Sequence, residues 1–310
     1  MAASSFDLAD RTYTFFSALG FRICLSTVSH PFDYAKFLMQ IGHEPMPSYP
    51  SRTVFGKPTR ALPNIFKYVG YIRNTDGILG CFRGYVPKIT GQIISTFAAE
   101  NVTKRMKIDG DFNPSEDEIS NEQRWVHFKQ TLMKDFVGKS VTIVVSQPFY
   151  VISSRSMAQF VGGEEIYSGF FGSIAEVYRN EGIRGFFIGL VPRWLGEIIT
   201  LLLSSFVIYG INNYLIHDPE IKSLSSASIQ FICHTLTYPF TVVSACYTVN
   251  NCGLAAGQPP QMPIFDNWTH TWRYLQQINQ LNRGSNTLFR YCPPTRQSGS
   301  LDAKMLDTLK

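Results

Sequence analysis

Residues 84–95 read GYVPKITGQIIS, and residues 189–200 read GLVPRWLGEIIT. Both spell Gly, a free position, Val, Pro, a basic residue, two free positions, Gly, a polar residue, Ile, Ile and a hydroxyl. Upstream of each runs an acidic-glycine pair followed by an aromatic, DGILGCFRG at 76–84 and EGIRGFFIG at 181–189. A second motif occurs three times, as SHPF at 29–32, SQPF at 146–149 and TYPF at 237–240. Agreement at this many positions marks internal repeats, units that bury their apolar faces against their own copies. A proline inside a helix costs about 3 kcal/mol and removes a hydrogen bond. A chain that places one at the same register in three repeats uses the bend, so each Pro-Phe is expected in a kinked helix.

Charged residues make up 16% and aromatics 14% of the 310 residues, where about a quarter charged is usual for a soluble domain. Mean hydropathy is near zero. A membrane protein with a polar interior fits these values, and so does an apolar soluble enzyme, so the patterning decides. Residues 198–216, IITLLLSSFVIYGINNYLI, carry no charge and are about the 20 residues that span a bilayer. From Ser223 to Phe265 there is no Asp, Glu, Lys or Arg. Long helices are expected near 11–41, 85–108, 125–160, 190–216 and 223–252. Shorter amphipathic pieces are expected near 61–74, 168–180 and 266–281. Residues 42–63 read as a Pro-rich loop, and 109–124, DGDFNPSEDEISNEQR, as an acidic linker. The chain reads as one membrane domain: repeat 1 about 11–108, the linker, repeat 2 about 125–217, a truncated repeat 3 about 222–292, and a polar tail 293–310.

Several classes are set aside. The net charge of +5 is modest and no Lys/Arg tract occurs, so no nucleic-acid partner is expected. Six cysteines without CxxC spacing argue against a metal site or a disulfide framework. No phosphate loop, dinucleotide fingerprint, nucleophile elbow or HExxH motif is present, so neither an enzyme nor a cofactor is expected. The start, MAASSFDLADRTYTFF, has two Asp before its first Arg, unlike a secretory signal or a transit peptide.

Counted from each proline, polar residues recur at helical spacing. The first helix offers Arg22, Ser26, Ser29, Asp33, Lys36 and Gln40. The third offers Lys139, Ser146, Tyr150 and Ser153, interrupted by Ile143 and Met157. The fifth offers Gln230, His234, Thr237, Thr241, Ser244, Thr248 and Asn251, with Tyr238 beside the proline. Lys88, Gln92 and Ser95, and Arg193, Glu197, Thr200 and Ser204, do the same on the even helices. Such spacings share one helix face, and in lipid a polar face turns inward. Each residue also has a plain structural role open to it. Membrane Ser and Thr serve as interhelical glue, Lys88 or Arg193 could snorkel to headgroups, His234 could be a core histidine, and Asp33 could pair with Lys36 one turn on. The repeated register favours a lined interior, with Lys36, Asp33, Arg193, Glu197, Tyr238, His234, Lys88, Arg22 and Lys139 along it.

These motifs resemble the mitochondrial carrier family. That resemblance implies three repeats, each a proline-kinked odd-numbered helix, a short surface helix and an even-numbered helix. The family's Pro-x-Asp/Glu-x-x-Lys/Arg signature stands here as Pro31-Phe32-Asp33-Tyr34-Ala35-Lys36. QIGHEPMP at 40–47, VNNCGLAAG at 249–257 and GLVPR at 189–193 are similar to a divergent branch, the mitochondrial carrier homologs, along essentially the whole chain. In a carrier the signature charges of the three odd helices pair in a ring that closes one gate. Here Tyr150 and Ser153, and Thr241 and Ser244, stand at those offsets, and Arg155 falls two residues late and points away. No ring of three ion pairs forms from such residues, so alternating access is not expected.

A sixth helix is expected to be missing. After LFRYCPP at 288–294 comes TRQSGSLDAKMLDTLK, 16 residues with five charges, too short and too polar to span. The expected architecture is an all-α, carrier-like three-repeat bundle of five spanning helices, its polar groove open to lipid between the first and fifth. The branch resemblance implies a multi-pass protein of the mitochondrial outer membrane, an insertase for tail-anchored and other helical clients, with membrane lipids and pro-apoptotic proteins as further partners. A lipid scramblase or an apoptotic-protein receptor or scaffold is the alternative, and a solute transporter the more distant one.

Overall fold

A computed structural model of the chain describes residues 2–52, 58–106, 121–214 and 218–291. Its helices follow the repeat pattern: α1 (Ala2–Ile41), α2 (Ile65–Gly80) and α3 (Tyr85–Arg105), then α4 (Asn121–Ala158), α5 (Phe170–Gly185) and α6 (Leu190–Tyr214), then α7 (Pro219–Val249) and α8 (Trp268–Gln277). Pro31, Pro148 and Pro239 lie inside α1, α4 and α7. Local chemistry sets the ends. Asp218 Oδ1 accepts the Glu220 amide at 3.1 Å and Pro219 opens α7, the pre-organised start of a helix. Asn64 Oδ1 accepts the Lys67 amide at 3.1 Å at the start of α2. The two acidic-glycine pairs are kinks inside α2 and α5, with Gly77 at φ 76° and Gly182 at φ 65°, a region glycine enters without a Cβ clash.

One expectation needs correction. Residues 42–63 are not a plain loop but carry β1 (Tyr49–Arg52) and β2 (Pro58–Leu62), and β2 pairs with β3 (Arg290–Tyr291) in an antiparallel sheet of order β1-β2-β3. The prolines that suggested a loop sit where strands tolerate them, Pro50 in the edge strand and Pro58 at a strand's first position. The end of the expected acidic linker also differs, since α4 starts at Asn121. Residues 109–120, the tail 293–310 and with it the expected absence of a sixth helix lie outside the described residues.

The three long helices converge at their C-terminal ends. Tyr34, Leu38 and Met39 of α1, Met157 and Ala158 of α4, and Val242, Val243 and Val249 of α7 are buried together. Ahead of their prolines α1 and α7 instead carry exposed apolar side chains, among them Phe21, Leu25 and Val28 on α1 and Phe231, Ile232 and Leu236 on α7. Among the described helices, Glu122–Ala158 and Leu190–Asn213 are long and apolar enough to cross a membrane by length and composition.

Helix α3 packs along α4, and α6 along α7, and the repeated motifs meet there. A Cβ on Gly91 would fall 2.6 Å from Cβ of Phe149, and one on Gly196 would fall 2.7 Å from Cβ of Phe240. The second glycine of each even-helix motif thus admits the phenylalanine of the next Pro-Phe. Phe32, the first Pro-Phe ring, packs edge-on against Phe66 of α2 at 5.6 Å. Gly196→Ala is expected to destabilise the fold by about 1–3 kcal/mol through overpacking. Its melting temperature in detergent should fall.

Candidate functional site

The residue before each proline has a partner the sequence does not announce. His30 Nε2 donates to the Arg83 carbonyl at 3.0 Å, Gln147 Nε2 to the Ile188 carbonyl at 2.8 Å, and the Tyr238 hydroxyl to the Arg283 carbonyl at 3.2 Å. Each acceptor immediately precedes a left-handed glycine: Gly84 at φ 73°, Gly189 at φ 77° and Gly284 at φ 77°. The glycine carbonyls are held from the next repeat. Ser153 Oγ donates to Gly84 O at 2.8 Å, and Ser244 Oγ to Gly189 O at 2.9 Å. Buried carbonyls need partners, and these turns find one on their own long helix and one on the following one. Gly284 lies against Gln40 of α1, where a Cβ would meet Gln40 Cγ at 3.3 Å. The third turn therefore leans on the first repeat.

The charged residues read from the stripes gather in three clusters. Lys88 Nζ lies 2.7 Å from Asp33 Oδ2, and Ser29 Oγ donates to the same oxygen at 3.2 Å. Asp33 therefore pairs across to α3 and not with Lys36, whose Nζ stands 5.3 Å from the centre of the Tyr238 ring. Between α4 and α6, Lys139 pairs with Glu197 at 2.7 Å. Arg193 donates to Gln147 Oε1 at 2.8 Å and to Ser146 Oγ at 3.1 Å, with its guanidinium 4.4 Å from the Tyr150 ring centre. Arg22 and His234 are exposed and join none of these clusters. Tyr150, Ser153 and Ser244, at the offsets of a carrier's gate charges, serve as a stacking platform and as two carbonyl donors.

Arg155 does point away from the stripe, into a buried network. Its side chain is 0% exposed, with Nη1 2.8 Å from Glu181 Oε1 and Nη2 donating to Oε2 at 2.8 Å. Its Nε donates to Thr248 O at 3.2 Å. It joins α4, α5 and α7, and Glu181 is the acidic member of the second acidic-glycine pair. Beside it, burial pushes the Tyr167 hydroxyl up to about 12, against the opposing pull of Arg155. A cleft of about 390 Å³ lies nearby, between the Phe82–Pro87 turn and the start of α5. Sequence reading also missed Arg283. Its signal was present, because Arg283-Gly284 repeats Arg83-Gly84.

Helices in the order long, short, medium, joined by glycine turns that link each repeat to the next, define the class: a carrier-type bundle of repeated units. The profile of the mitochondrial carrier protein family matches residues 11–108 and 125–219. The chain is 36% identical over 277 residues to mitochondrial carrier homolog 2 of Homo sapiens, covering 87% of this chain and 91% of that protein. It is 35% identical over 316 residues to mitochondrial carrier homolog 1 of Mus musculus, covering 93% and 79%. A mitochondrial substrate carrier family protein N of Dictyostelium discoideum is 30% identical over 174 residues, covering 53% of this chain and 52% of that one. The chain belongs to the mitochondrial carrier family, among its carrier homologs, and a mitochondrial membrane is its place.

Removing one partner of a buried ion pair leaves the other charge uncompensated, at about 3–5 kcal/mol. Arg155→Ala and Glu181→Ala should each lower unfolding stability in detergent by an amount of that order. The double variant should lose much less than the sum.

Proposed function

We propose that the chain inserts helical membrane proteins, tail-anchored ones among them, into the mitochondrial outer membrane through a polar groove open to lipid. The observation that carries this reading is the path of the chain after Gly284. Gly84 and Gly189 lead directly into α3 and α6. Gly284 leads instead through a turn into β3, so no described helix stands between α7 and α1. Along residues 18–35 of α1 and 223–237 of α7, no hydrogen bond or ion pair joins the two helices among the described residues.

In this reading α1, α3, α4, α6 and α7 cross the bilayer, the long ones bent at their prolines, and no sixth helix among the described residues closes the bundle. The groove wall carries Asp33, Lys88, Lys139, Glu197, Arg193 and Lys36, which is charge of both signs. A client helix enters sideways, its apolar face in lipid and its polar flank against the wall. A charge at bilayer centre costs about 2.5–3.5 kcal/mol on insertion scales. A wall of fixed charges and hydroxyls lowers that barrier without any nucleotide. The same open side would let lipid headgroups pass, and its surface could recruit pro-apoptotic proteins. Solute transport is the less supported reading, because Ser153 and Ser244 hold backbone carbonyls where gate charges would be.

Purified protein in liposomes, given a tail-anchored substrate, should protect the substrate's C-terminal segment from protease above the level of empty liposomes. Lys36→Glu or Glu197→Lys should slow insertion on the order of tenfold, equivalent to about 1.4 kcal/mol of barrier. Insertion equal to that of empty liposomes contradicts the proposal, and insertion indifferent to both reversals contradicts the groove. Flipping of labelled phospholipid without insertion would favour a scramblase, and exchange of a metabolite a transporter.

A further inference from the structure

Although no described helix lies between α1 and α7, their C-terminal ends are drawn together. Gln40 Nε2 donates to the Tyr238 hydroxyl at 2.9 Å, and Cys246 Sγ donates to Gln40 O at 3.4 Å. Arg283, in the segment after α8, touches both helices. Its Nε donates to Gln40 O, its Nη2 to Cys246 Sγ at 3.0 Å, and its carbonyl accepts from Tyr238.

The same segment then crosses to the first repeat. Thr287 O accepts the Ile65 amide at 2.9 Å, and β3 pairs with β2 through Leu62 and Arg290. Arg290 is 8% exposed. It donates to Pro63 O at 3.1 Å and pairs with Glu44. In the first two repeats a serine of the following long helix holds the glycine turn. The equivalent place on α1 is Lys36, which lies over the Tyr238 ring. The third turn thus lacks its serine and has two arginines and a strand instead.

We propose that residues 280–291 are a fixed latch that replaces the third bracket of the bundle. Arg283 clamps the ends of α1 and α7 to each other, and Arg290 anchors the strand that carries the clamp on the first repeat. The seam between α1 and α7 is therefore shut at its C-terminal end, while along residues 18–35 and 223–237 no hydrogen bond or ion pair bridges it among the described residues. Guanidinium geometry is essential, because one planar fork reaches a carbonyl and a sulfur on different helices, which an ammonium does not reproduce.

Hydrogen–deuterium exchange on the full chain in nanodiscs tests the latch, with a readout separate from insertion activity. Arg283→Lys should speed exchange of residues 36–41 and 242–249 by about tenfold or more, as loss of charged hydrogen bonds does for a local opening. Residues 151–158, tied by Arg155, should be unchanged. Arg290→Glu should speed exchange of residues 58–62 and 287–291, and Glu44→Arg added to it should restore part of the protection, the bond to Pro63 O remaining lost. The proposal is overturned if Arg283→Lys leaves 36–41 and 242–249 protected, or if the acceleration spreads equally to 151–158. It is also overturned if the exchanged Glu44–Arg290 pair restores nothing, an outcome readable even where Arg283→Lys does not fold.

Discussion

Three left-handed glycines, Gly84, Gly189 and Gly284, set the arrangement of the bundle. At each one the chain turns out of a short helix and brings a backbone carbonyl inward, where it requires a partner. The residue before the proline of the same repeat supplies it. For the first two turns a serine from the next repeat holds the glycine's own carbonyl as well. Convergence of α1, α4 and α7 at their C-terminal ends follows, because each turn is fixed between two of them. The buried Arg155–Glu181 pair sits at that convergence and joins the second repeat to the third.

The three repeats are not equivalent, and the difference falls on one side of the molecule. Glycine-on-phenylalanine contacts hold α3 to α4 and α6 to α7. Phe32 receives no such glycine among the described residues, and it turns to Phe66 of α2. Charges follow the same division. The α4–α6 seam has Lys139, Glu197 and Arg193 with their partners, whereas α1 and α7 are joined toward their C-terminal ends, through Lys36 and Gln40 and across Arg283. An asymmetric bundle of this kind suits a seam that receives a helix from the side.

Much of this was legible before any coordinates. Duplicated GxVP and triplicated Pro-Phe motifs placed the long helices within a few residues of their observed spans, apart from the start of α1, which lies at Ala2 and not near residue 11, since a repeated register reports a repeated structure. Of the nine residues expected along the stripes, seven stand in polar or cation–π contacts with one another or their neighbours, while Arg22 and His234 are exposed outside those contacts. Pairing was not legible. Asp33 and Lys36 are one turn apart, but Lys88 reaches Asp33 from another helix, a contact no local spacing encodes. The small sheet was hidden because prolines at a strand edge look the same as prolines in a loop. The partners of His30, Gln147 and Tyr238 were hidden because three different side chains perform one task.

The most direct test is photo-crosslinking during insertion into liposomes. A crosslinking amino acid at Val28 on α1 or Leu236 on α7 should capture the transmembrane segment of a tail-anchored substrate. The same probe at Met133 on α4, which also faces outward, should not. Equal capture from Met133, or none from Val28 and Leu236 while insertion proceeds, would contradict an entry path between α1 and α7.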